Sequence, residues 1–171
     1  MRGLSVTVIA IDPGPIESAV VWWSGGSVVN AIYQPNDFVL ERLSDQRKEQ
    51  YGGRDPLAIE MIASYGMAVG AEVFDTCVWI GRFAQAYGPS RTTLIKRGEV
   101  KMHLCHSMRA NDSNVRQALI DRLGKPGTKR SRGVTYGISG DLWSALALAV
   151  TFYDGLTARV ETSIEKAGLL R

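Results

Sequence analysis

Val6-Thr7-Val8-Ile9-Ala10-Ile11-Asp12-Pro13-Gly14 is the stretch on which the reading of this chain turns. Its unbroken run of apolar and β-branched residues predicts a strand over residues 5–12 that is buried on both faces. Pro13 removes a backbone donor and Gly14 permits dihedrals closed to other residues, so the strand stops sharply at an acid. A carboxylate at the edge of a buried strand is costly unless it is solvated, paired or metal-bound. Two further acids share that setting. Glu60 closes the apolar run Pro56-Leu57-Ala58-Ile59, and Asp141 opens the run Leu142-Trp143-Ser144-Ala145-Leu146-Ala147-Leu148-Ala149-Val150.

Outward from the first strand, residues 18–23 read as a second, and Ser24-Gly25-Gly26-Ser27 as a hairpin turn into a third over 28–33. These make an antiparallel meander. Trp22 and Trp23 adjoin on a strand and so face opposite sides. Residues 36–54 are polar and end in Gly52-Gly53, which predicts a short exposed helix and a loop. A fourth strand is expected over 56–61, and a helix over 71–87 ended by Gly88-Pro89. That helix carries Phe74, Val78, Trp79, Phe83 and Tyr87 nearly all round. It needs cover on two faces, from a partner subunit or from a thick core.

A fifth strand is expected over 91–95, a short helix over 101–105, and a clearer helix capped by Asn111 or Asp112 and running through Val115, Leu119 and Leu123. Residues 124–137 read as a mobile basic loop. The last strong helix is expected from about 140 to 153, followed by a weakly structured tail over 155–171. The layout is α/β: a mixed five-stranded sheet, strands 1–3 antiparallel and the rest parallel, flanked by helices in one domain over 1–171.

Composition bounds the function. With 45% apolar and 22% charged residues the 171-residue chain is ordinary globular material with room for a sizeable core. A net charge of +3 and a pI near 9.0 lean towards an anionic partner. Cys77 and Cys105 have no zinc-like spacing and read as reduced thiols. No run of 18 apolar residues and no export signal stands in the sequence, so a cytoplasmic protein is expected.

Each acid taken singly has a plain explanation. Asp12 before Pro-Gly is turn chemistry, Glu60 suits a half-exposed strand end, and Asp141 suits a helix N-terminus. Three together, on strand ends and a helix facing one side of a sheet, are what a metal-dependent phosphodiesterase needs. Two Mg²⁺ ions held about 3.5–4 Å apart by hard oxygen ligands serve in such sites. His103 and His106 are spaced i, i+3 but lack a third ligand.

Val8-Ile9-Ala10-Ile11-Asp12-Pro13-Gly14, Ala58-Ile59-Glu60, Val100-Lys101, Ala110 to Val115 and Ser144-Ala145-Leu146-Ala147-Leu148-Ala149, in that order, resemble the RuvC-type Holliday junction resolvases, most of all the compact phage and prophage versions. The likeness runs from about residue 5 to 153. It implies a ribonuclease H-like fold, a homodimer, Mg²⁺ or Mn²⁺ dependence with two ions per site, and paired nicks across a four-way DNA junction. Asp12, Glu60 and Asp141 fall on the family's metal-binding acids. The likeness breaks at two positions. Ser144 stands where the family has a fourth acid and would serve only through a water. Asp112 stands where many relatives carry a lysine. The reading kept beside junction cleavage is a weakly active or non-catalytic branched-DNA-binding protein of the same fold. A sugar-kinase or actin-like ATPase also opens on an apolar strand and Asp-x-Gly but needs a much longer chain.

Lys96, Arg97, Lys101, Arg109 and the loop residues Lys125, Lys129, Arg130 and Arg132 are the candidate DNA contacts. No helix carries a groove-reading pattern, so binding should rest on the DNA backbone and junction shape.

Overall fold

The computed structural model describes residues 6–48, 55–64, 66 and 68–166. Its elements are β1 (Val8–Pro13), β2 (Glu17–Ser24), β3 (Ser27–Pro35), α1 (Asn36–Lys48), β4 (Leu57–Met61), α2 (Ala71–Tyr87), β5 (Thr92–Lys96), α3 (Arg97–Cys105), α4 (Asp112–Leu123) and α5 (Leu142–Lys166). The sheet runs β3-β2-β1-β4-β5. Strands β1 to β3 are antiparallel neighbours, while β4 pairs in parallel with β1 and β5 with β4. The expected α/β architecture is therefore present, with the buried strand β1 at its centre. The Gly52-Gly53 turn lies outside the described residues.

Side chains on a strand alternate between faces, and here each face has its own core. Val8 and Ala10 of β1 join Ala19, Val21, Trp23, Ala58 and Ile95 in a layer covered by α5 and by Val100 of α3 and Val115 and Leu119 of α4. Ile9 and Ile11 join Val20, Trp22, Leu57 and Ile59 on the other face, covered by Val39 and Leu43 of α1 and Ile80, Phe83 and Tyr87 of α2. The two tryptophans do face opposite ways, and both are buried. Trp22 carries the Arg42 guanidinium over its ring at 5.1 Å.

Three expectations are corrected. The helix over 36–48 is exposed on one face only, because Val39 and Leu43 of the other are sealed into the core; one apolar turn hidden in a polar sequence sufficed. Helix α5 does not weaken at Gly155 but continues to Lys166, its middle pinned where Arg122 grips Asp154 through both guanidinium ends at 2.6 and 2.8 Å. The 124–137 segment, expected as a mobile loop, forms a tight turn closed by a Gly127–Arg132 bridge and a Gly133 N–H to Pro126 carbonyl bond of 2.8 Å. A Cβ on Gly127 would meet the Ser131 carbonyl oxygen at 2.2 Å, which is why that position needs glycine. Among the described residues no helix is long and apolar enough to cross a membrane.

Candidate active site

Parity along the strands places the first two acids. Asp12 follows Val8 and Ala10 by even steps, and Glu60 follows Ala58 by two, so both carboxylates stand on the α5 face. Register places them side by side. Ile11 is level with Ile59, and one step further brings Asp12 level with Glu60 on adjoining strands about 4.8 Å apart. Asp141 approaches from above. Its carbonyl accepts the backbone N–H groups of Ser144 and Ala145, so it opens α5, near enough for its charge to act on Asp12.

The electrostatics register the convergence. Burial, with the charges of Glu60 and Asp141, pushes the Asp12 carboxyl from its ordinary 3.8 up to about 7, against the opposing pull of Arg97 and a hydrogen bond from Ser144. Burial likewise raises Glu60, and Arg97 opposes it. The Arg97 guanidinium donates to Glu60 Oε2 at 3.2 Å and to Asp112 Oδ1 at 2.5 Å. Asp112 therefore serves as an ion-pair partner, not as the helix cap expected for it. Asn111 is the cap, accepting the Asn114 N–H at 2.9 Å.

The donor set suits a hard divalent cation in kind, being carboxylate oxygens with one hydroxyl and no thiolate or imidazole. Its present arrangement is looser than a closed ligand shell. Among the described residues no three His, Cys, Asp or Glu side chains are gathered tightly enough to hold an ion as they stand. Arg97 meets Glu60 instead. Beside the acids lies a cleft of about 280 Å³ lined by Arg97, Asp112, Ser113, Arg116, Asp141 and Ser144 among others.

Four contributors escaped the sequence reading. Ser18 and Asn36, both buried, hold the loop that follows Asp12. Ser18 Oγ donates to Asn36 Oδ1 at 2.6 Å, and Asn36 Nδ2 donates to the Gly14 carbonyl at 2.9 Å. Gly14 is required there, since a Cβ would lie 2.4 Å from the Glu17 carbonyl oxygen. Arg116 adds a cation to the cleft and lies over the Trp143 ring at 5.0 Å. Tyr33 is exposed in the cross-strand row Asp12–Ala19–Tyr33, within electrostatic reach of Glu17, Asp12 and Asp141. An exposed aromatic at a sheet edge leaves no signal in local sequence.

The candidate DNA contacts are dispersed. Arg97 lines the cleft, and Lys101 acts on Glu60 from α3. Lys96 borders a separate, more apolar groove with Met102 and Met108. Arg109 borders another with Asn114 and Asp121. Lys125, Lys129, Arg130 and Arg132 are exposed on the tight turn before α5, Arg132 lying 5.0 Å over the Tyr136 ring.

No family model and no curated protein matches the chain by sequence. Solved structures do. Thermus thermophilus RuvC superposes with a TM-score of 0.64 at 17% identity, over 89% of this chain and 97% of that one. T. thermophilus RuvC in complex with a Holliday junction substrate superposes with a TM-score of 0.59 at 16% identity, over 85% and 92%. The sheet order, the helices on its two faces and this superposition together give the chain the RuvC-type, ribonuclease H-like fold.

Proposed function

We propose that this protein is a metal-dependent, structure-selective DNA endonuclease that resolves four-way junctions by paired nicks. What supports the reading is that Asp12 and Glu60 stand on one sheet face within the electrostatic reach of each other and of Asp141, with Asp12 so desolvated that its charge is costly without a cation. Such a pocket matches a need for positive charge brought from outside. Asp12, Glu60 and Asp141 would hold Mg²⁺ or Mn²⁺, with Ser144 contributing through a water. A divalent cation there supplies the charge that favours attack of water on the phosphorus and departure of the 3′ oxygen.

The chain's own residues do the rest. Asp12 is fixed by the Gly14–Asn36–Ser18 bonds, and Arg97 and Arg116 present cations to the phosphates in the cleft. The RuvC complex among the similar structures holds a Holliday junction substrate, which supports branched DNA as the partner. A homodimer would set two such sites about a two-fold axis, matching the symmetry of a four-way junction.

One observation favours a second reading. Ser144 brings a hydroxyl where a further carboxylate would add charge, and Arg97 already engages Glu60. A junction-binding protein with weak or no cleavage would show this pattern. A nicking assay on a synthetic four-way junction with Mg²⁺ or Mn²⁺ separates the two. Wild type is expected to nick and Asp12→Asn to bind without nicking. Cleavage by Asp12→Asn at the wild-type rate would remove the site assignment.

A further inference from the structure

Arg97 is the one cation in direct contact with a site carboxylate among the described ion pairs, and its two ends live in different surroundings. Nη1 meets Glu60 at 3.2 Å, where both side chains are about four-fifths covered; Nη2 meets Asp112, which is 84% exposed at the cleft mouth. Arg97 opens α3 and Asp112 opens α4, so two helix starts converge to hold one guanidinium. A planar fork can serve two acids at once, which a lysine ammonium cannot do with the same geometry. The arrangement has an inner contact that is removable and an outer contact that stays.

We propose that Arg97 is a tethered cation of this cleft: Asp112 holds one end of its fork, and the other end passes from Glu60 to a DNA phosphate when a divalent cation takes that carboxylate. The inference rests on the reading of Asp12, Glu60 and Asp141 as metal ligands. Glu60 cannot serve Arg97 fully and a cation fully, since both draw on the same oxygens. Once released, Nη1 is a largely desolvated charge in need of an anion. The cleft it lines with Asp141 and Ser144 is where phosphate would lie under this reading. Arg97 thereby becomes a substrate-binding residue and Asp112 a positioning residue.

The test uses the full-length protein. Without DNA, Mn²⁺ titrated by calorimetry into Arg97→Gln should bind about tenfold tighter than to wild type, the scale of losing one charged hydrogen bond. Asp112→Asn, altered at the exposed end, should bind Mn²⁺ more weakly, because it removes a nearby negative charge and leaves Arg97 wholly to Glu60. Opposite signs from two variants that break the same cluster are not what a purely structural role produces. With Ca²⁺ present, Arg97→Gln should weaken binding to a four-way junction and lower the salt slope by about 1. In EDTA the loss should shrink, since Glu60 then keeps the guanidinium. Unchanged Mn²⁺ affinity in Arg97→Gln, or an equal loss of junction affinity with Ca²⁺ and with EDTA, would overturn the exchange. The Asp12→Asn control tells the two layers apart. If it loses Mn²⁺ binding while Arg97→Gln stays at wild type, only the tether fails. If it binds Mn²⁺ as wild type does, the metal-site reading fails and the tether with it.

Discussion

At the scale of single residues, Asp12 sets the energetics. Its carboxyl is raised from 3.8 to about 7, chiefly by burial. The folded protein therefore holds this proton more tightly than the unfolded chain. Its contribution to stability is complete below about pH 4 and is lost as pH rises through 7. In EDTA the protein should lose stability across that window, with a ceiling of about 4 kcal/mol. Asp12→Asn should flatten the profile and be the more stable protein at pH 8, measured by denaturant unfolding. A wild-type profile that rises over the same window would mean Asp12 is charged without penalty. Ser144 is the complementary case. Its hydroxyl stabilises the Asp12 carboxylate without adding charge. Ser144→Asp should tighten Mn²⁺ binding and keep or raise junction cleavage, whereas a dead variant would show that the hydroxyl itself is needed.

At the scale of elements, the loop between β1 and β2 decides where Asp12 points. A buried asparagine from the start of α1 ties that loop to the sheet. Asn36→Ala leaves the Gly14 carbonyl and the Ser18 hydroxyl without their partner, at about 1–3 kcal/mol for each group left unsatisfied. The expected result is a lower Tm together with a fall in cleavage larger than the stability loss explains, read at a temperature where the variant is folded. Cleavage at the wild-type rate would show that the loop is not part of the site. The clip of α5 works similarly at the middle of that helix. Burial raises the Asp154 carboxyl, but hydrogen bonds from Arg122 and His103 outweigh it and hold it below its ordinary value. This clip joins α3, α4 and α5 into the layer that carries Arg97, Asp112 and Asp141.

At the scale of the whole molecule, one sheet face carries the acids and the opposite face ends in α2. Ile80, Phe83 and Tyr87 of α2 are buried, yet Phe74 and Val78 are 62% and 60% exposed. A thick core accounts for the first three and not for the last two. Phe74 and Val78 are one helical turn apart and so lie together on the free side. If the protein is a dimer through this side, Phe74→Glu with Val78→Glu should convert it to a monomer in sedimentation while the fold persists by circular dichroism. A wild type that sediments as a monomer at micromolar concentration would remove the dimer from the proposed function.

The strands, their order of appearance and the even spacing that sends Asp12 and Glu60 to one face were legible in the sequence, because side-chain alternation and turn chemistry are local. So was the boundary of α2, closed by Gly88-Pro89. What tertiary structure alone decided is the pairing of groups far apart in the chain. Glu60 and Arg97 are 37 residues apart, and Ser18 and Asn36 are 18 apart. Nothing in either neighbourhood announces its partner. A polar side chain at a helix start looks the same in sequence whether it caps its own helix, as Asn111 does, or reaches across to another, as Asp112 does. The choice follows from where α3 and α4 settle once their apolar faces are buried, and that is a property of packing, not of pattern.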